Sequence, residues 1–125
     1  MVTRSGSGEN MDSSNLGLIN GTVDLLVLRT LAWGPRHGFA IAKWIREISD
    51  DTILVEDRAL YLALHRLEER RLVESAWGLT ENNRRARYYQ LTRTGRKQLQ
   101  VREEHWTRYA EAVFKILRFT GSKPA

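Results

Sequence analysis

Cysteine is absent from the 125 residues. That excludes a disulfide scaffold, a thiolate metal site and a cysteine nucleophile. Long apolar runs are absent too, and none approaches the roughly 18 residues of a membrane span. No apolar stretch near the start has the form of a signal peptide, so a cytoplasmic protein is expected. The three histidines, His37, His65 and His105, lie far apart and show no paired-ligand spacing. There is no glycine-rich phosphate loop, serine elbow or matched carboxylate pair. Neither an enzyme nor a metal or cofactor is therefore expected. The segment Gly34-Pro35-Arg36-His37-Gly38 reads as a turn between helices, not as a phosphate cradle.

Lysine is scarce as well. Twenty basic residues face 15 acidic ones, net +5, and only four of the twenty are Lys against 16 Arg. Guanidinium forks suit phosphates and carboxylates, so a polyanionic partner is the first expectation. The charge is also local. Residues 58–100 hold ten basic and four acidic side chains, net +6, whereas residues 1–57 hold five and eight, net −3. Such a concentration in a short chain points to a contact face. At 42% apolar the chain supports one small domain with a thin core, of the size that often completes its burial by oligomerising.

Residues 1–20, rich in Ser, Gly and Asn, read as a flexible tail. From Thr22 the pattern is helical: Val23, Leu26, Val27, Thr30 and Leu31 share a face, with Leu25 and Leu28 widening it. Thr22 is the expected cap and Asp24 suits the first turn. Gly34-Pro35 ends this helix. A second helix over about 37–48 would bury Phe39, Ile41, Ala42, Trp44, Ile45 and Ile48. Ile53, Leu54 and Val55 form an extended link. A third helix starts near Glu56-Asp57 with a narrow stripe of Leu60, Leu64 and Leu67. Opposite that stripe lie Arg58, Leu62, His65, Arg66 and Glu69, and Leu62 is the apolar anomaly of that face.

The period then changes. Residues 72–77 and 86–91, rich in aromatic and branched side chains, read as two strands joined by a basic, turn-rich segment over 78–85. Trp77 is expected to anchor this hairpin. Tyr88 and Tyr89 alternate across a strand, so one belongs in the core. Thr92 caps a last helix over 93–119. There Leu99, Glu103, Trp106, Ala110, Val113 and Leu117 are spaced 4, 3, 4, 3 and 4, a heptad seam with one polar member. A helix of this length, about 40 Å, outruns so small a core. Its seam calls for the same helix of a second subunit. Residues 120–125 form a short tail.

The fold class is therefore mainly α, an α+β winged helix. It comprises a three-helix core with a two-stranded hairpin wing (21–92) and a long C-terminal dimerisation helix (93–119). A helix beside a basic hairpin fits DNA, with the helix in the major groove and the wing on the adjacent backbone or minor groove. Arg84 and Arg85 are the leading DNA contacts, against a solvated loop. Arg58 and Arg66 could face phosphates or guanine edges, or Arg66 could pair with an acid such as Glu69. Tyr61 could pack or contact phosphate, and His65 lies on the same helix. The alternative class is a dimeric interaction module that binds an acidic protein through the same arginines.

Three stretches carry a family resemblance: Gly21 to Leu28 with Gly34 to Phe39; Leu60-Tyr61 with Ala63 to Glu68; and Asn82 to Tyr89 with Leu91-Thr92 and Gly95. In this order they resemble PadR-like transcriptional regulators over about residues 20–118, and the single last helix is similar to the short form. The resemblance implies a homodimeric repressor that binds a pseudo-palindromic duplex DNA operator and is released by a small hydrophobic or phenolic effector. It places Arg58 to Arg70 as the recognition helix, Tyr61 at the DNA face, and Arg84, Arg85 and Arg87 on the wing. Trp106 matches a tryptophan that lines an effector site in some relatives, though dimer core is the plainer role. Trp33 is a weaker effector candidate, otherwise a packing residue like Trp44. The dimer would use Leu99, Trp106, Ala110, Val113 and Leu117. The chain departs from the family pattern at Arg58, Ala59, Leu62 and Arg71, where Gly, Ser, Pro and Gly are usual. Arg71 in particular removes the glycine that would end the third helix in a left-handed conformation.

Overall fold

The computed structural model describes residues 16–122, with side chains from residue 21 onward. Residues 1–15 of the expected tail lie outside the described residues, and residues 16–20 are not tail but the opening turn of a helix. The elements run α1 (Leu16–Leu31), β1 (Arg36–His37), α2 (Gly38–Ile48), α3 (Asp57–Glu69), β2 (Val73–Leu79), β3 (Arg85–Leu91) and α4 (Arg93–Arg118). The strands form one antiparallel sheet in the order β1-β3-β2. This is a winged helix. Among the described residues no helix is long and apolar enough to cross a membrane.

Helix α1 is the hub of the core. Val23, Val27, Leu28 and Leu31 are buried, and α1 touches α2, α3, α4 and β3. Because α1 begins at Leu16, Thr22 is not its cap and Asp24 does not sit in its first turn. Asp24 instead lies buried at mid-helix. Buried Thr30 is satisfied locally, its hydroxyl donating to the Leu26 carbonyl at 2.8 Å.

The expected turn after α1 holds more structure than a turn. Gly34 takes φ +127°, which a side chain disfavours, and the chain then enters β1. Arg36 pairs with Tyr89 and His37 with Tyr88, so the hairpin gains a third strand. His37 also caps α2, its Nδ1 accepting from the Ala40 amide at 3.2 Å.

Helix α2 buries Ile41 and Ile45, one turn apart, while Ala42 and Trp44 pack at the edge. Phe39 and Ile48 were expected in this face but are 72% and 65% exposed. They lie at the two ends of an 11-residue helix, beyond the reach of the core. Phe39 stacks on the His37 ring at 6.4 Å instead.

Helix α3 follows its stripe: Leu60, Leu64 and Leu67 are buried, with Ala63 beside them. Without a glycine it still ends in a left-handed residue, because Arg71 itself takes φ +61°. The Arg71 amide donates to the Glu68 carbonyl and the Leu72 amide to the Leu67 carbonyl, both at 2.9 Å. These two bonds satisfy two of the last turn's free carbonyls.

Thr92 caps α4 as expected, accepting from the Gly95 amide at 2.9 Å. The heptad seam is partly spent within the chain. Leu99 is only 6% exposed and belongs to the domain's own core, so its assignment to dimerisation is corrected. Glu103 pairs with Arg29 of α1 at 3.3 Å, and the Trp106 indole N–H donates to Thr22 Oγ1 at 3.3 Å. Ala110 and Val113 are half-buried, and Leu117 is 72% exposed.

Candidate nucleic-acid interface

The outer face of α3 is the first half of the site. With Leu60, Ala63, Leu64 and Leu67 turned inward, the 100° step per residue presents Arg58, Tyr61, Leu62, His65 and Glu69 outward, and all five are exposed. Arg58 makes no hydrogen bond or ion pair among the described residues and is free to engage an anion. His65 lies 3.5 Å from Glu69, one turn on. Tyr61 leans against Gly38, where a Cβ would stand 3.0 Å from the phenol oxygen.

Arg66 leaves this face. Its guanidinium forks onto Asp24 of α1 at 2.6 and 3.4 Å. The expectation of a DNA contact at Arg66, or of a pair with Glu69, gives way to a buried carboxylate far off in sequence.

The wing is the second half. Strands β2 and β3 pair from Val73↔Leu91 to Leu79↔Arg85. Residues 80–84 turn the chain: the Thr80 amide donates to the Arg84 carbonyl at 2.8 Å, and Asn83 takes φ +64°. Asn tolerates that conformation, and the turn presents Arg84 with no side-chain partner among the described residues. Arg85 lies over the Trp77 ring at 4.7 Å and Arg87 over the same ring at 5.9 Å from its centre. Trp77 thus stays exposed and carries the arginines, rather than anchoring the wing from below. Arg87 is held further in, donating from Nε to Ser75 Oγ at 2.9 Å and lying 3.7 Å from Glu68 of α3. Of the paired tyrosines, Tyr89 is the core member, and burial pushes its phenol above the ordinary tyrosine range. Tyr88 donates to the Leu79 carbonyl at 3.0 Å.

Between the wing and the start of α2 runs a groove of about 930 Å³. Tyr61, Arg84, Arg85 and Arg87 all line it, so the structure gathers four expected contacts around one cleft. It adds Arg36 and Lys43, which the sequence reading did not select. The Nε of Arg36 is buried in this wall with no hydrogen-bond partner among the described residues. Arg36 lies in β1 and Lys43 in the middle of α2, and no local pattern marks either of them. Arg58 and His65 sit outside the groove on the adjoining helix face.

The effector candidates are not brought together. Trp106 lines a second groove of about 560 Å³ with Gly21, Thr22, Leu25, Arg102, His105 and Tyr109. Trp33 lies exposed just beyond the far end of α1, with Arg29 over its ring at 5.9 Å. Among the described residues no cluster of His, Asp and Glu has the form of a metal site.

Residues 27–101 match the Transcriptional regulator PadR-like family. A transcriptional regulator from Clostridium thermocellum is similar in structure at a TM-score of 0.73 and 30% identity, covering 82% of this chain and 99% of its own. A PadR family transcriptional regulator from Eggerthella lenta is similar at 0.68 and 31%, covering 87% and 93%. A PadR family transcription regulator from Clostridium difficile is similar at 0.66 and 28%, covering 76% and 97%.

Proposed function

The chain belongs to the PadR-like family of transcriptional regulators, a DNA-binding family rather than an enzyme family, and from that membership we propose that it acts as a homodimeric repressor. The observation that carries the reading is the convergence of exposed arginines and hydrogen-bonding side chains on two adjoining surfaces. Arg58 and His65 stand on the outer face of α3, and Arg84, Arg85 and Arg87 stand on the wing, with Tyr61 between. Helix α3 enters the major groove and the wing follows the neighbouring backbone. The operator is pseudo-palindromic, because a two-fold dimer presents two such helices about 34–36 Å apart or a multiple of that.

The dimer forms through α4. Tyr109, Ile116 and Leu117 stay exposed there, continuous with half-buried Ala110 and Val113 and with Trp106. A second copy of the helix covers them. The groove beside Trp106 then borders the dimer interface and takes a planar apolar effector whose binding releases DNA.

Gel-shift binding to genomic fragments at moderate fixed salt tests the regulator, and sedimentation tests the dimer. A sequence preference and a two-fold mass are expected. Equal binding to all fragments, or to an acidic polypeptide of matched charge, would refute the reading. For the effector, quenching of tryptophan fluorescence together with weaker DNA binding is expected, and quenching alone would leave an incidental pocket.

A further inference from the structure

Leu62 has no role in the core and none in the wing. It is 46% exposed, while Leu60 and Leu64 on either side of it are buried. On the outer face it follows Arg58 by one turn and precedes His65 and Glu69. Arg66, one turn further on, would shield it with a guanidinium, but Asp24 draws that group away at 2.6 Å. Tyr61 beside it turns to Gly38. Leu62 therefore presents about half of its surface, an isobutyl group, in the middle of the face that would meet the major groove.

An exposed leucine gains nothing in water that Gln, Lys or Glu would not supply, since their helix propensities are close. Against a base-pair edge it gains a partner. The major groove offers one apolar feature, the 5-methyl group of thymine, and apolar side chains contact it. Arg58, unpaired and exposed, has the fork that matches guanine O6 and N7. Four residues of helix rise roughly 6 Å, against 3.4 Å per base pair, so the two side chains address positions one or two base pairs apart.

We infer that Leu62 is a specificity-determining residue that reads a thymine methyl group in each operator half-site, close to a guanine read by Arg58. This rests on the DNA-binding reading above.

The test uses the full chain. A preferred duplex is selected from a random library, and each of its thymines is then replaced singly by deoxyuridine, which removes only the methyl group. At fixed salt, one thymine per half-site should show about a fourfold loss of affinity, the worth of one buried methyl group. Leu62→Ala, a surface change that leaves the fold intact, should bind the thymine and deoxyuridine duplexes equally while keeping the guanine preference. If no thymine is sensitive to its methyl group, or if Leu62→Ala keeps the wild-type penalty, the inference is wrong while the regulator reading stands. A library that yields no preferred sequence overturns both.

Discussion

Arg66 grips Asp24 through two points across the packing of α3 on α1, with Nη2 2.6 Å from Oδ1 and Nε 3.4 Å from Oδ2. The carboxylate is nearly sealed and the guanidinium is about one-third exposed. Removing one partner of a sealed pair costs about 3–5 kcal/mol. Solvent reaches Arg66, which lowers the figure, so Asp24→Ala should cost about 1–3 kcal/mol in urea unfolding. A loss under about 0.5 kcal/mol would make the pair an ordinary surface contact. The fork also settles which arginine of α3 stays available outward, namely Arg58.

Arg71 holds a left-handed conformation that glycine adopts freely and other residues adopt at a cost of about 1–2 kcal/mol. Arg71→Gly removes that strain but adds freedom to the unfolded chain, which takes back part of the gain. A net stabilisation of about 0.5–1 kcal/mol is expected, seen as a melting temperature raised by a few degrees. A lowered melting temperature would mean that the Arg71 side chain contributes more than its backbone costs.

Period-based features were legible in the sequence. The Leu60, Leu64, Leu67 stripe, the alternation at Tyr88 and Tyr89 and the Thr92 cap needed only local spacing. What failed depended on partners elsewhere in the chain. Arg66 meets an acid 42 residues away, which no local pattern reveals. Strand β1 has two residues, too few for any period. The heptad of α4 reads the same whether its partner is a second subunit or α1, and Leu99 and Glu103 turned out to face inward or toward α1. The arginines of the wing were legible because a turn must expose its tip. The groove was not, because its other wall comes from Arg36 and Lys43, about 50 residues earlier.

Among the described glycines, Gly95 has the least room for a side chain. A Cβ there would overlap the Leu72 carbonyl oxygen, which already accepts from the Thr92 amide at 3.1 Å. The obstacle is backbone, so no rotamer change relieves it. Gly95→Ala should therefore destabilise by about 1–3 kcal/mol, the usual range for overpacking, despite the better helix propensity of alanine. Thermal unfolding measures it, and an unchanged or raised melting temperature would contradict the close packing.

Tyr89 makes stability fall in alkali. Burial, opposed by the nearby Arg87 charge, raises its phenol above the ordinary value of 10.0. The unfolded chain therefore releases this proton first as pH rises. Stability is intact below about pH 10 and declines above it, because the folded state binds the extra proton. Tyr89→Phe abolishes this part of the decline. The difference in unfolding free energy between wild type and Tyr89→Phe should shift in favour of the variant above pH 10. Parallel curves would show that burial does not hold the proton.

The three wing arginines are built differently and should respond differently. Arg84 at the tip has no side-chain partner among the described residues, Arg85 rests on Trp77, and Arg87 is bound to Ser75 with Glu68 nearby. Each phosphate contact contributes about 0.9 to the slope of log affinity against log salt. Arg84→Ala with Arg85→Ala should lower that slope by about 2 and weaken binding equally across sequences. An unchanged slope would remove the wing from the DNA surface. Arg87 has a second task, since its Nε donates to Ser75 Oγ of β2 and that hydroxyl in turn donates to Glu68 Oε2 of α3 at 2.7 Å, which ties the wing to the end of α3. Arg87→Lys keeps the charge and loses the fork. If Arg87 serves only as charge, Arg87→Lys leaves both slope and sequence preference unchanged. If its hold on Ser75 fixes the angle between wing and recognition helix, the slope stays while discrimination between operator and random duplex falls. That split between salt dependence and specificity is the expected result. A phosphate contact fixes register, and the residue that sets the angle governs which base edges α3 reaches.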